Sequence, residues 1–414
     1  MRFLRQQIPR QSLETLRIVG ARDGWLIETA DVIRVGLGHT VDHVTLNEGL
    51  EIPSDVLSTL RHHELAGDDG PPGSGVVAFG ALPFDRSTPS KLDVPEYCIT
   101  QLKDGDAWVT CADGAHSWLE VLRTSVPPVQ ETQSLRSLSL EPTPDEYAHN
   151  VALAVEILRS KEIDKVVLAR SVRGTVPEAI DAAAVAQRLH HREPLCAIYS
   201  IPTSDGRRFV GATPELIARR TGATLQSHPL AGTIALPPNV EPEDYLTWLL
   251  GSTKNLHEHN VPVNEIVGAL EGVYDDVQAD AGPSIVALRT LAHLGTWIEA
   301  SCRNESDAPD ALEVLRLLHP TSAVGGVPRQ SAYELIRRLE QIDRGYYAGP
   351  LGWVDAHGDG EWWIGFRGVL VKGAEFEAWA GAGIVSESDP TAEREETKAK
   401  LASFLSSVLV DVVQ

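Results

Sequence analysis

Residues 379–400 read WAGAGIVSESDPTAEREETKAK. The stretch continues an apolar alternation from Phe376 through Ala378 and Ala380, then meets Gly381-Ala382-Gly383. That small-residue run is expected to form a flexible turn, where bare backbone lets a ligand approach closely. Ser388-Asp389-Pro390 predicts a helix start, with Pro390 suited to the first helical turn. On that helix Glu393, Glu396 and Lys400 lie three and four residues apart and share one face. Two carboxylates and an ammonium beside two glycines can hold a divalent cation and an anionic ligand together. Taken alone, the same residues also describe a solvated helix face. Acidic side chains suit a helix N-terminus, and an exposed i,i+3 carboxylate pair costs only about 0.2–0.5 kcal/mol. Burial decides between the two. At about 4 Å and an effective dielectric near 20 the pair repels by roughly 4 kcal/mol, so a buried pair demands a cation.

Composition narrows the partners. The 414 residues, 43% of them hydrophobic, suffice for a large core. The formal net charge of −22 disfavours nucleic acid and anionic membrane surfaces. It would also repel a small anionic substrate at long range, so local cations must overcome it. No apolar run reaches the length of a membrane span. The opening MRFLRQQIPRQ has arginines but no apolar signal core. Cys98, Cys111, Cys196 and Cys302 have no CxxC spacing and are expected to be reduced, isolated thiols in a cytoplasmic protein. The absence of a coiled-coil or repeat pattern points to a monomer.

Residues 1–140 carry little readable chemistry. The β-branched residues around His39 and His43 predict a strand, and these histidines, with His62 and His63, are expected to be structural. Residues 125–142, with Pro127-Pro128, read as a linker. From Thr143 the pattern sharpens. Thr143-Pro144-Asp145-Glu146 is a capping box, and Tyr147, Val151, Ala154, Val155 and Leu158 follow at helical period. Lys165-Val166-Val167-Leu168-Ala169-Arg170 predicts a strand headed by a lysine. Such a lysine normally reaches solvent. If enclosed, an ammonium is disfavoured and a lysine can serve as a base.

Further on, residues 207–227 predict a hairpin turning at Thr221-Gly222, with Glu215 in its first arm. Pro229 to Thr233 is a small-residue turn carrying a hydroxyl. Lys254 to His259 lies in a helical pattern, and Pro262 there implies a kink or a new helix. Residues 309–318 and 329–340 predict helices, joined by the hydroxyl-rich loop His319 to Pro328. Residues 363–371 read as one strand with a central Arg367, either an edge residue or a planar carboxylate clamp.

Taken in order, KVVLAR (165–170), GATPEL (211–216), PLAGT (229–233), KNLHEH (254–259), LHPTSAVGGVPRQ (318–330), DRGYYAGPLGW (343–353), FRG (366–368), AGAGIV (380–385) and EREETKAK (393–400) resemble the chorismate-utilising enzymes. The match looks like the isochorismate synthases within that family. The salicylate synthases, which go on to eliminate pyruvate, are the alternative. A silent chorismate- or metal-binding module is a third reading from a different class. The ammonia-using anthranilate and aminodeoxychorismate synthases lack a lysine at position 165.

The resemblance implies an α+β fold of large antiparallel sheets packed face to face, with helices outside. It implies a single large domain spanning 1–414, in which residues 1–140 contribute to the sheets and 143–405 form the chorismate-binding catalytic region. Lys165 would be the base activating water and Glu215 the acid protonating the leaving hydroxyl. Glu258 and Glu396, with Glu393 nearby, would hold Mg²⁺. Tyr347 and Arg367 would bind the enolpyruvyl carboxylate, with Gly232, Thr233, Gly381, Gly383 and Lys400 lining the site. The product would feed menaquinone or siderophore biosynthesis. Asn255, Ser322 and Pro262 depart from the family pattern, the first by removing an acidic neighbour of the metal site.

Overall fold

A computed structural model describes residues 1–46, 56–114, 118–123, 130–236 and 242–409. Twenty strands form one hydrogen-bonded network. Among the described residues it falls into two sheets that meet at the single pair Phe79–Asp93. The first sheet carries the strands Val32–Leu46, Trp25–Glu28, Ala197–Pro202, Arg208–Thr213, Gly368–Lys372, Glu375–Ile384 and Lys165–Thr175, successive neighbours antiparallel. The second carries Val77–Ala81, Pro350–Asp355, Gly360–Ile364, Leu216–Thr221 and Thr224–His228, also antiparallel. A small third sheet, Leu230–Ala235, Leu291–Gly295 and Ser284–Ala287, stands apart.

Phe209 and Leu370 of the first sheet share one apolar cluster with Leu351 and Trp362 of the second. The architecture is α+β, with two large antiparallel sheets face to face. The far side of the first sheet, including Val35, Ile198 and Val369, packs under the helices Leu13–Asp23 and Ala182–Arg192. Strands from the first hundred residues therefore pair directly with strands from the last hundred: Val77–Ala81 lies against Pro350–Asp355.

The physical logic of the helix starts holds. Thr143 caps Pro144–Leu158 through a reciprocal capping box with Glu146. Asp389 caps Pro390–Leu405, accepting from the Ala392 N–H. The helices Ala311–Leu318 and Arg329–Leu339 form where periodicity places them. His39 and His43 lie on a strand and pair with Glu96 and Asp93.

Several local expectations are overturned. Gly381-Ala382-Gly383 is no turn: it lies inside the strand Glu375–Ile384, paired with residues 167–169. Pro229 to Thr233 is likewise mostly strand, with a bulge that Gly232 permits at φ +72°. Small residues in both places permit close approach, of side chains at Gly381 and Gly383 and of the Asn255 backbone at Gly232. The linker expected at 125–142 contains the edge strand Ser137–Glu141, while residues 124–129 lie outside the described residues. Residues 363–371 are two strands, not one, and Arg367 sits in the turn between them at φ +45°. The expected first hairpin arm is broken at Pro214-Glu215, so Arg208–Thr213 belongs to the first sheet and Leu216–Thr221 to the second. The helix Thr253–Leu270 runs through Pro262, which leaves the Glu258 carbonyl without its helical N–H partner.

Candidate active site

A pocket of about 770 Å³, its open mouth included, lies where the glycine strand, the third sheet and the helix Thr253–Leu270 converge. Its floor is Gly381 and Gly383. A Cβ on Gly383 would sit 2.3 Å from Glu258 Oε1 and 2.9 Å from Lys165 Cε. One on Gly381 would sit 3.0 Å from the Tyr347 hydroxyl. The two glycines are therefore space left for functional side chains.

Lys165 heads its strand but does not reach solvent: it is 1% exposed. Its ammonium lies 3.4 Å from Glu258 Oε1, yet Nζ makes no hydrogen bond. Glu215 is 4% exposed, placed by the break that passes the chain from one sheet to the other. Burial pushes its carboxyl up to about 8, against the opposing pull of Lys165 and the Leu230 N–H. Glu215 therefore holds a proton at neutral pH, as a general acid must.

Arg367 points its guanidinium at the pocket. Nη2 donates to His293 Nε2 at 2.8 Å, and Nη1 is buried without a hydrogen-bond partner, 3.9 Å from Glu193. A guanidinium at a pocket wall, with one nitrogen making no hydrogen bond, suits a carboxylate. His293 is buried, and burial first, then Arg367 and Lys400, push its pKa well below the ordinary value. It is thus neutral. Since Nε2 accepts from Arg367, Nδ1 carries the proton and donates to Thr233 Oγ1 at 3.0 Å. Sequence inspection missed His293, because a lone histidine in an alternating strand carries no spacing signal. Only the third sheet brings it against Arg367.

Of the residues expected at the site, Glu215, Thr233, Glu258, Tyr347, Arg367, Gly381, Gly383 and Lys400 all line the pocket. Lys165 lies just beneath, against Glu258 and Gly383. Gly232 packs on the helix at Asn255. Lys400 binds both Glu396, at 2.7 Å, and the Gly381 carbonyl, at 2.9 Å.

Glu393 is the buried member of the acidic pair, and Lys254 lies 2.7 Å from it. Burial, then the charge of Glu396, pushes the Glu393 carboxyl above its ordinary value. Burial opposes the charge on Lys254, but Glu393, Glu258 and Glu396 together hold its pKa up. Of the three carboxylates only Glu258 lines the pocket; Glu396 lies behind it on Lys400, and Glu393 pairs with Lys254. Among the described residues no three converge on one point as a complete metal cage. The donor chemistry nevertheless fits Mg²⁺, which commonly takes one or two carboxylates and completes its shell with water and substrate. No helix of the described residues is long and apolar enough to cross a membrane.

An enclosed lysine, a buried glutamate whose carboxyl is pushed up, an arginine at the pocket wall and nearby carboxylates describe a site suited to a small anionic substrate. The chain belongs to the chorismate binding enzyme family, whose match covers residues 25–409. It is 32% identical over 356 residues to the isochorismate synthase MenF of Bacillus subtilis, covering 81% of this chain and 75% of that protein. It is 32% identical over 336 residues to the isochorismate synthase EntC of Escherichia coli K12, covering 80% of each. The menaquinone-specific isochorismate synthase of Escherichia coli shares the fold, with a TM-score of 0.82 over 98% of this chain and 94% of that one, at 24% identity.

Proposed function

We propose that this protein is an isochorismate synthase, an isomerase that converts chorismate to isochorismate. Water adds at C2 of the ring as the C4 hydroxyl leaves. Lys165 takes the proton from water and Glu215 gives one to the departing hydroxyl. Arg367, with Tyr347 beside it, binds the enolpyruvyl carboxylate, and neutral His293 fixes the guanidinium. Glu258 and Glu396 would hold Mg²⁺, with Glu393 behind them. When bound, the ion would neutralise and orient the ring carboxylate. The product feeds menaquinone or siderophore biosynthesis.

What supports this reading is a buried Glu215, its carboxyl pushed up to about 8 by burial, lining one pocket with Glu258 and Gly383, beneath which the enclosed Lys165 lies. The test is product analysis with purified protein, chorismate and Mg²⁺. Isochorismate is expected, with little salicylate or pyruvate. Stoichiometric pyruvate release would move the assignment to a salicylate synthase. For the metal, Glu396→Gln is expected to weaken Mg²⁺ dependence and turnover together, and unchanged turnover after EDTA treatment would remove the ion from the mechanism.

A further inference from the structure

The strand that carries Lys165 has an unusual outer edge. At Lys165 and Val166 it pairs with Val327 and Gly326. From Ser171 to Thr175 it pairs with the edge strand Ser137–Glu141. Between these two partners no strand of the described residues covers it. The exposed backbone groups there are taken by other means. The Val167 N–H donates to the Gly325 carbonyl at 2.8 Å. The Val167 carbonyl accepts from Arg344 Nη2 at 2.8 Å, and the Ala169 N–H donates to Glu340 Oε1 at 2.6 Å.

Arg344 and Glu340 are themselves a buried ion pair, 3% and 4% exposed, with Nε donating to Oε2 at 2.9 Å. Arg344 Nη1 donates to the Val324 carbonyl at 2.8 Å, and the guanidinium lies 4.2 Å from the centre of the Phe84 ring. Neither side chain is left with an unpartnered buried nitrogen or oxygen. The Arg344 carbonyl in turn accepts from the Tyr347 N–H at 2.9 Å. Arg344 therefore ties together three segments: its guanidinium holds Val167 and Val324, beside Ala323, and its backbone carbonyl holds the turn bearing Tyr347. Val167, Ala323 and Tyr347 all line the pocket. A pairing strand could satisfy one edge. A planar fork can hold carbonyls from two different segments at once.

We propose that Glu340 and Arg344 are positioning residues of this site: they stand in for a missing strand and set where the Lys165 strand lies relative to the 321–327 loop and Tyr347. They touch no substrate and act through Lys165 and its neighbours. The proposal rests on the assignment of Lys165 as the base. A misplacement of about 1 Å at a reacting group can cost on the order of 10²-fold in rate. Loss of the fork therefore lowers kcat while leaving KM nearly unchanged, since Arg367 and the carboxylate cluster stay in place.

The test is a double-mutant cycle on turnover of chorismate. Arg344→Met is expected to lower kcat by about 10- to 100-fold, with Arg344→Lys in between because an ammonium can keep the charge and one carbonyl. On a Lys165→Ala background Arg344→Met should cost much less, because the main group it positions is gone and only the 321–327 loop and the Tyr347 turn are left to shift. Arg344→Met leaves Glu340 buried and unpaired and can fail to fold. The paired variant Glu340→Gln/Arg344→Met removes both charges, keeps an acceptor for the Ala169 N–H, and carries the same expectation. A kcat within twofold of wild type, or an equal loss on the Lys165→Ala background, would overturn the positioning role. Near-normal turnover of Lys165→Ala itself would instead overturn the proposed function, and the positioning role with it.

Discussion

Lys165 and Glu215 meet the same pocket and are almost equally enclosed, but their surroundings divide them. Lys165 lies 3.4 Å from the Glu258 carboxylate, within a region rich in negative charge. Glu215 has no cation at hydrogen-bond distance and sits where apolar residues of two sheets meet, so burial dominates and its proton is retained. A charged neighbour favours one ionic form, and isolation favours the neutral one. The fold thus separates the two environments: burial without a cation in hydrogen-bond contact suits Glu215 to the donor role proposed for it, whereas the carboxylate beside Lys165 is the one proposed to take up Mg²⁺. In this molecule the break at Pro214 does the separating, by lifting Glu215 out of one sheet and into the next.

The most direct way to break this comparison is to remove each member. General acid–base contributions are each worth about 10²–10⁴-fold. Lys165→Ala and Glu215→Gln are each expected to lose turnover by a factor in that range or more, while calorimetry still detects chorismate binding. Near-normal turnover of either variant would remove its assigned role.

A smaller effect is expected at the floor between them. In Gly383→Ala the new methyl would meet Glu258 Oε1 at 2.3 Å and Lys165 Cε at 2.9 Å. Turnover should fall by about 10²-fold from displacement of the base. Stability should fall by only about 1–3 kcal/mol, the usual range for overpacking, read from denaturant unfolding. Wild-type kinetics in this variant would mean that Lys165 has room to move.

The difference between the two residues also has a pH signature in stability. The folded carboxyl of Glu215 is raised from 4.5 to about 8. Between those values the folded state binds the proton that the unfolded state has released. Its contribution is therefore complete below the unfolded value and is lost as pH rises through about 8. Unfolding midpoints of wild type and Glu215→Gln, compared across that window, should converge or cross as the pH rises. The alkaline limb of activity should also weaken in the variant. Parallel stability curves would show that Glu215 is ionised in the folded protein.

The smallest effect is expected far from the pocket. The His43–Asp93 pair is 43% and 20% exposed in its side chains. Exposed pairs contribute about 0–1 kcal/mol, so His43→Ala should leave turnover unchanged and stability within that amount. A large loss of turnover would assign the amino-terminal strands a role at the site.

What was legible in the sequence follows the same division. Charged residues in distinctive motifs were readable as site candidates: Lys165, Glu215, Glu258, Arg367 and the Glu393–Lys400 face all lie at or beside the pocket. Helices with caps were readable because their signals are local. The glycine run at 381–383 was misread as a turn because small residues favour turns in isolation. Its strand conformation is imposed by pairing with Val167 and Ala169, more than 200 residues earlier in the chain. His293 and the Glu340–Arg344 pair were silent for the same reason. Their partners are brought together only by tertiary folding.

One consequence follows from the ion pairs lining the site. Lys165 faces Glu258, Lys254 faces Glu393, Lys400 faces Glu396 and Arg367 faces Glu193, while Glu215 is uncharged. Each cation is matched by an anion, so the resting pocket is near electrical balance. A dianionic substrate entering alone would tip it negative, and a divalent cation entering alone would tip it positive. Together they restore neutrality. Were Mg²⁺ to bind as proposed, metal and substrate would form a cooperative couple, each tightening the other by the same factor. Chorismate titrations of the Glu215→Gln protein, which keeps every one of these pairs, with and without Mg²⁺ would read that factor directly, and equal affinities would mean that the two bind independently.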